Sequence, residues 1–175
     1  MISERLDKTI RTVPNFPKDG INFKDITPLL MDADVSNEIV DAFVIQLKDI
    51  ALDAIVGIES RGFLFGFLLA NKLGLPFVPI RKAGKLPGET LKYKYDLEYG
   101  SAEMEIHKSD IQKGWKVLVH DDLLATGGTA CAAAELVQGL GANVSGFAFV
   151  VILDFLNGKE KIKRYSENIV SLKDY

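Results

Sequence analysis

Two adjacent carboxylates, Asp121 and Asp122, precede a Thr-Gly-Gly-Thr run at residues 126–129. Glycines let the backbone turn with its N–H groups pointing inward, and a helix that starts there adds unpaired amides and the positive end of its dipole. The threonine hydroxyls are further donors. The pattern therefore predicts a loop that binds phosphate. The residues of this phosphate loop are Ala125, Thr126, Gly127, Gly128 and Thr129.

The two carboxylates need a partner other than the phosphate, because they would repel it. Ionised carboxylates only accept hydrogen bonds, whereas a vicinal diol offers two donors. Asp121 and Asp122 are therefore predicted to bind the hydroxyl groups of a ribose 5-phosphate. The alternative is a helix N-terminus that simply carries acidic residues and glycine, which is common. The run is neither a Gly-x-Gly-x-x-Gly motif nor a P-loop with its lysine, which argues against a dinucleotide-binding domain or a P-loop NTPase.

Basic side chains follow two other apolar runs directly. The segment Glu59-Ser60-Arg61-Gly62 follows the apolar run 54–58, and Arg81 and Lys82 close the run that begins at 77. A guanidinium at a strand end can clamp a diphosphate through paired hydrogen bonds. The next segment, 83–90, combines glycines with positive charge, which is typical of a mobile lid over an anionic substrate. For Lys85 within it, a solvated basic loop is the alternative.

Short apolar strands and helices alternate along the chain. Strands are predicted at 54–58, 77–80, 91–99, 104–107, 116–120 and 144–153. Helices are predicted at 2–13, from an N-cap at Ser36 to about Lys48, at 63–73 and at 129–140. The alternating polarity of 91–99 indicates an antiparallel hairpin with 104–107, and the other strands indicate a mostly parallel α/β sheet. Ligands of such sheets bind at the carboxyl ends of the strands.

Composition limits the classes of function. The chain has 175 residues, of which 47% are hydrophobic, and these values predict one globular domain over 1–175. A net charge of −3 argues against a partner that is nucleic acid. The single Cys131 excludes an internal disulfide and favours a reducing compartment. The charged N-terminus and the short apolar runs argue against a signal peptide or a membrane partner, so a cytoplasmic location is expected.

Residues 117–129 resemble the phosphoribosyl-pyrophosphate signature of type I phosphoribosyltransferases, and in detail that of the adenine phosphoribosyltransferases. The resemblance extends over about 14–160. It implies the type I phosphoribosyltransferase fold, a mostly parallel sheet flanked by helices. It also implies a small hood from about 14–30 and 152–160, a flexible lid hairpin at about 82–107, and a homodimer.

The reaction that this resemblance implies is transfer of the 5-phosphoribosyl group from phosphoribosyl pyrophosphate (PRPP) to adenine, giving AMP and pyrophosphate in purine salvage. Its substrates are the implied small-molecule partners, and Mg²⁺ is the implied cofactor, held mainly by substrate and water and without a protein metal cage. The implied catalytic residues are Glu98, Arg61 and Lys82. Glu98 would transfer a proton on the incoming base. The alternating polarity of the predicted strand 91–99 by itself makes Glu98 an exposed residue.

The resemblance also assigns binding residues. The implied pyrophosphate contacts are Glu59, Ser60, Arg61, Arg81, Lys82 and Lys85, with a cis peptide bond near Ser60. The implied base contacts are Asn22, Phe23, Lys24 and Leu153, and Tyr99 belongs to the lid. From the residues alone, Phe23 could stack on a purine or anchor its loop to the core.

Two residues depart from the pattern of the family. His120 stands where Val or Ile is usual, so its side chain points to the core or to the ligand, and the core is the interpretation we favour. Ile152 stands where the hood strand usually carries Glu. Two alternative functions remain: a phosphoribosyltransferase for another purine or orotate, and a non-catalytic sensor of the same fold. Such sensors usually carry a DNA-binding module, for which 175 residues leave no room.

Overall fold

A seven-stranded sheet forms the centre of the computed structural model, which describes residues 1–16, 18–96 and 100–175. The strand order is β5-β6-β4-β3-β7-β8-β9. The strands are β3 (Ala54–Ile58), β4 (Phe77–Lys82), β5 (Thr90–Asp96), β6 (Ser101–His107), β7 (Lys116–Leu124), β8 (Asn143–Ile152) and β9 (Ile169–Asp174). Two further strands, β1 (Arg11–Val13) and β2 (Phe23–Asp25), form a separate small sheet.

Parallel pairing dominates the sheet, as the sequence predicted. β3 pairs in parallel with β4 and β7, and β7, β8 and β9 continue the parallel set. Among the described strands of this sheet, the antiparallel pairs are β5 with β6 and β6 with β4. Every residue of β3 is buried, because the strand lies at the centre of the sheet between two layers of helices. The polar segments after β3 and β4 and the acidic end of β7 therefore meet at one edge.

Helices cover both faces of the sheet. Their bounds are α1 (Ile2–Thr9), α2 (Thr27–Leu30), α3 (Ala33–Leu47), α4 (Gly62–Leu73), α5 (Gly128–Gly139) and α6 (Gly158–Ile162). The alanine-rich α5 packs on one face against Phe147 and Phe149. On the other face α1, α3 and α4 bury a second apolar cluster around Phe43 and Phe65. The two clusters hold the strand ends in fixed relative positions, which the site requires.

Several boundaries differ from the sequence prediction, among them the start of β6, which lies at Ser101 instead of residue 104. α1 ends at Thr9, because residues from Arg11 onward pair with β2 instead of continuing the helix. The N-cap of α3 is Asp32, whose carboxylate accepts the amides of Asp34 and Val35, so the prediction of Ser36 was wrong. β4 and β7 are longer than predicted. The longer β4 includes Arg81 and Lys82, and the longer β7 includes Asp121 and Asp122.

Two C-terminal elements had no sequence prediction, namely α6 and β9. β9 pairs in parallel with β8 and closes the edge of the sheet. Glu98 and Tyr99, for which the resemblance implies catalytic and lid roles, lie outside the described residues. Among the residues that are described, no helix is long and apolar enough to cross a membrane.

Candidate active site

The phosphate loop turns sharply between β7 and α5. Gly127 has φ +84°, a left-handed conformation that favours glycine, and it caps the N-terminus of α5. The loop encloses about 330 Å³ of empty space open to solvent, lined by its five residues together with Asp121, Leu123, Leu124, Ala130 and Phe149. The first amides of α5 face this space, so the loop has the geometry of an anion site.

The phosphate loop is supported from behind by the start of α6, which the sequence did not reveal. A Cβ on Gly158 would lie 2.2 Å from the carbonyl oxygen of Ala125, and a Cβ on Gly127 would lie 2.9 Å from that of Gly158. Two glycines therefore allow two backbones to touch. The only sequence signal was Asn157-Gly158 between apolar segments, which by itself predicts a turn.

The acidic pair lies at the end of β7, where alternate residues point to opposite faces. Asp122 is 4% exposed, and its Oδ2 lies 2.9 Å from the Nε of Arg61. That contact is an ion pair without hydrogen-bond alignment, because the buried Oδ2 has no hydrogen-bond partner in the described part of the chain. Oδ1 of Asp121 accepts the backbone amide of Asp122 at 2.9 Å.

The two carboxylates differ in electrostatic environment. Burial raises the pKa of Asp121, and the neighbouring Asp122 raises it further. Arg61 lies beside the pair and partly offsets this effect. Gly62 permits the close approach, since a Cβ there would lie 2.8 Å from the Oδ1 of Asp121. The site thus combines two adjacent carboxylates with a guanidinium that is ion-paired to Asp122, which suits a ligand with both hydroxyl and anionic groups.

Glu59 organises the cationic side of the site. Its Oε2 accepts the backbone amide of Lys82 at 3.0 Å, and its two oxygens lie 3.3 and 3.4 Å from the guanidinium of Arg81. Burial would raise the pKa of Glu59, but the hydrogen bonds from Lys82 and Arg81 hold it below its usual value. The ionised Glu59 carboxylate is therefore engaged with Arg81. The peptide bond between Glu59 and Ser60 is cis, as the resemblance implied.

Residues from three strand ends meet in one cleft. It has about 810 Å³ of empty space open to solvent, and it is lined by Glu59, Ser60, Arg61, Lys82, Asp121, Asp122 and Thr129. Four of the predicted pyrophosphate residues thus line the same cleft as three of the predicted ribose 5-phosphate residues. Arg81 and Lys85 do not belong to that lining, and Arg81 lies behind it, bonded to Glu59 and to the carbonyl oxygen of Lys85 at 3.2 Å.

The segment with the predicted base contacts lies beside the cleft. The ring of Phe23 faces the guanidinium of Arg61 at 5.6 Å and packs edge-on against Phe16 at 5.3 Å. The amine of Lys24 lies 3.0 Å from Thr12 Oγ1 and 3.9 Å from the ring centre of Tyr175, and Asn22 is exposed. Both interpretations of Phe23 are therefore compatible with its contacts, since its ring anchors the loop and adjoins Arg61.

Leu153 and Ile152 are positioned by the end of β8. The Leu153 amide donates to the carbonyl oxygen of Leu124 at 3.0 Å, which ties the end of β8 to the end of β7. Ile152 is 1% exposed and packs in the apolar cluster on the α5 face. Its side chain therefore belongs to the core and does not line the cleft.

His120 points to the core, as we favoured from the sequence. It is 0% exposed, packs edge-on against Phe43 with ring centres 5.5 Å apart, and lies 3.0 Å from the Cβ position of Gly66. Neither ring nitrogen has a well-aligned hydrogen-bond partner among the described residues, although the backbone of Ala148 lies near enough to oppose part of the effect of burial on the pKa of His120. Burial lowers the pKa of His120 to about 4, so the ring is neutral at pH 7.

We expect this histidine to make the protein less stable in mild acid. Between pH 6.5 and about 4 the unfolded chain binds a proton at His120 that the folded chain does not bind, so stability falls as pH falls. The full difference is about 3 kcal/mol of unfolding free energy. Urea unfolding at several pH values would measure how the free energy of unfolding depends on pH. In His120→Val we expect this dependence to be weaker between pH 6.5 and about 4. Equal slopes in the two proteins would contradict the prediction.

Three comparisons with known proteins agree with this geometry. A family model described as phosphoribosyl transferase domain matches residues 35–174. The adenine phosphoribosyltransferase of Clostridium botulinum (strain Loch Maree / Type A3) is 54% identical over 93% of this chain and 95% of its own length. The crystal structure of the adenine phosphoribosyltransferase from Thermoanaerobacter pseudethanolicus has a TM-score of 0.95 and 47% identity, and covers 100% of both chains. That from Saccharomyces cerevisiae, complexed with an imino-altritol bisphosphate and adenine, has a TM-score of 0.92 and 44% identity over 98% of both chains.

Proposed function

The chain belongs to the adenine phosphoribosyltransferases of the phosphoribosyl transferase family, and we propose that its cleft transfers the 5-phosphoribosyl group of PRPP to adenine. The products are AMP and pyrophosphate, as in purine salvage. One observation carries the proposal: the pocket of the phosphate loop adjoins the cleft that is lined by the acidic pair and the cationic strand ends, and the two spaces share Asp121 and Thr129. This set matches the three parts of PRPP, which are a 5-phosphate, a ribose diol and a diphosphate.

The phosphate loop and the acidic pair would bind the sugar. Backbone amides and hydroxyls of residues 125–129 would hold the 5-phosphate at the start of α5. Asp121 and Asp122 would accept the ribose hydroxyls. Burial and the neighbouring Asp122 raise the pKa of Asp121, and Arg61 beside the pair partly offsets this effect.

The cationic side would stabilise the leaving group. As the bond from C1 of the ribose to pyrophosphate breaks, negative charge grows on the leaving oxygens, and fixed cations stabilise it most in the transition state. Arg61 and Lys82 line the cleft for this role. Ser60 would contribute its hydroxyl, and Glu59 would act by holding Arg81 and the backbone of Lys82. Lys85, three residues further along the chain, would approach the diphosphate when the lid closes.

The base would bind against the N-terminal hood. Phe23 offers a ring face next to Arg61, so a purine stacked there would have its reacting nitrogen near the ribose. Asn22, Lys24 and Leu153 would complete the wall, and the 82–107 hairpin would close over it as a lid, with Tyr99. Glu98 remains the proposed proton-transfer residue, on the chemistry of a carboxylate beside the incoming base. In this proposal residues 1–175 are a single domain, with a hood formed by 14–30 and 152–160.

Mg²⁺ is the proposed cofactor. The described residues contain no group of three or more His, Cys, Asp or Glu that could hold a metal ion. The carboxylates of Asp121 and Asp122 fit an ion that keeps several water ligands and binds mainly through substrate oxygens. When bound with PRPP, the ion would neutralise part of the diphosphate charge. Asp122 already pairs with Arg61, so its contact with the ion would run through water or the ribose hydroxyls.

A homodimer completes the proposal. One face of α4 leaves Leu64, Phe67 and Leu68 42%, 56% and 45% exposed, while Phe65 and Leu69 on the opposite face are buried. An exposed apolar stripe on a short helix is typical of a protein interface. A second copy of the chain is the proposed occupant of this face. The location we propose is the cytoplasm, where the single Cys131 would remain reduced.

A panel of bases tests the proposed function directly. The purified protein, with PRPP and Mg²⁺, is offered adenine, hypoxanthine, guanine or orotate, and pyrophosphate release is measured for each. We expect turnover with adenine and AMP as the second product. Preference for another base would assign the protein to another phosphoribosyltransferase. Absence of turnover with every base would favour the non-catalytic sensor.

A further inference from the structure

The 83–89 loop between β4 and β5 is held by one buried carboxylate, that of Glu105 on β6. The Glu105 side chain is 1% exposed, and its neighbours on β6, Met104 and Ile106, are apolar and also buried. Its Oε1 accepts the backbone amides of Lys85 at 2.8 Å and Leu86 at 2.9 Å. Its Oε2 accepts the hydroxyl of Thr90 at 3.1 Å. Both oxygens of Glu105 are therefore engaged by the loop and the start of β5.

The same loop is fixed from the β4 side. Arg81 lies opposite Glu105 in the β4–β6 register, and its guanidinium donates to the carbonyl oxygen of Lys85 at 3.2 Å. The backbone N–H and the backbone C=O of Lys85 are thus both bonded to side chains of neighbouring strands. Arg81 is itself paired with Glu59, which accepts the amide of Lys82. A continuous chain of contacts connects Glu105 to the cleft.

A carboxylate at this position is unfavourable unless the loop is in place. Burial disfavours the charged form, whereas the amides of Leu86 and Lys85, the Thr90 hydroxyl and the Lys92 charge together keep the pKa of Glu105 below its usual value. Hydrogen bonds to a buried ionised group are stronger than neutral ones. Packing alone would be served by an apolar side chain, such as Met104 and Ile106 on either side. Glu105 therefore ties the conformation of the loop to the sheet.

We propose that Glu105 is a positioning residue for phosphoribosyl transfer: it fixes the 83–89 loop so that Lys85 can reach the diphosphate of PRPP that Lys82 contacts from β4. The inference rests on the proposed function, because it takes these two lysines as the diphosphate contacts. Glu105 touches neither the sugar nor the base in this assignment. Its loss should therefore weaken the use of PRPP selectively and leave adenine binding intact.

Two substitutions of Glu105 separate positioning from folding. In Glu105→Ala we expect the KM for PRPP to rise about tenfold, because the loop must be ordered again on binding, and the KM for adenine to stay within about twofold. Glu105→Gln should lie between alanine and wild type. Its amide oxygen can still accept the Lys85 and Leu86 amides, while its NH₂ group donates to the Thr90 hydroxyl.

Hydrogen exchange provides a readout that does not need activity. The Lys85 and Leu86 amides should exchange faster in Glu105→Ala and regain part of their protection in Glu105→Gln. Glu103→Ala is the matched control for the exchange pattern, since this exposed side chain lies two residues earlier on the same strand. Trypsin should also cleave faster after Lys85 in Glu105→Ala than in wild type.

The outcomes distinguish this proposal from the function on which it rests. Wild-type turnover of PRPP with adenine is measured first, and its failure would overturn the function. With that activity present, faster loop exchange but an unchanged KM for PRPP would show that the contact is only structural. An equal rise in both KM values would overturn the proposal as well. If Glu105→Ala does not fold, Glu105→Gln decides alone, through a rise of about threefold in the KM for PRPP or none.

Discussion

Replacing Asp122 with alanine is expected to lower kcat/KM for PRPP by about 10³-fold. In the proposed site the substitution removes the charged acceptor for a ribose hydroxyl. Each hydrogen bond to a charged group contributes about 1.5–3 kcal/mol, and the same carboxylate also orients Arg61 at 2.9 Å, so the two losses add to about 4 kcal/mol. Steady-state kinetics with PRPP as the varied substrate would measure the change.

The folded state of this variant should survive the substitution. The side chain of Arg61 is 44% exposed, so water can hydrate its guanidinium when Asp122 is removed. Asp49→Ala is the matched control, because Asp49 is an exposed aspartate just after α3. We expect the control to retain full activity. Near-normal turnover in folded Asp122→Ala would remove the ribose assignment.

Replacing Gly158 with alanine is expected to lower kcat/KM for PRPP on the order of 100-fold, although this residue lies outside the cleft lining. The added Cβ would lie 2.2 Å from the Ala125 carbonyl oxygen and 3.1 Å from the Gly127 amide. Both neighbours are backbone atoms of the phosphate loop, which must move to make room. A displacement of about 1 Å in the donors of a binding site can cost this much activity.

The Gly158 prediction has a control with the same change. Gly139→Ala adds a Cβ at 2.7 Å from Leu91 Cδ2, the end of a flexible side chain that can rotate away. Circular dichroism and thermal unfolding would establish that both variants fold, and kinetics would compare them. If Gly158→Ala binds inorganic phosphate and PRPP as the wild type does, the phosphate loop does not depend on α6 for its shape.

The strands around the cleft show which parts of the fold the local sequence pattern predicts. Short apolar runs predicted β3 and its neighbours within a few residues, because burial on both faces of a parallel sheet requires continuous apolar residues. The predicted positions of the strand ends were less accurate. β7 continues through Asp121 and Asp122, because its pairing with β8 extends beyond the apolar segment. Pairing with a neighbour, and not composition, decides where a strand ends.

Roles of individual side chains depended on tertiary contacts in the same way. The sequence predicted Glu59 and Arg81 as separate pyrophosphate contacts, and it gave no sign that the two side chains bind each other. Glu105 had no predicted role, because an acidic residue on a strand of alternating polarity is expected to face solvent. Its burial follows from the loop that folds over it.

The sequence by itself determined the fold class and the chemistry of the Asp121-Asp122 and Thr126–Thr129 motifs, because these depend on periodicity, turn residues and functional groups that are adjacent in the chain. Only the tertiary structure decided that Arg61 pairs with Asp122, that Gly158 supports the phosphate loop and that Glu105 holds the 83–89 loop. These contacts join residues that are 19 to 61 positions apart in the chain. Their geometry is set by the order of strands in the sheet, and local sequence carries no signal for it.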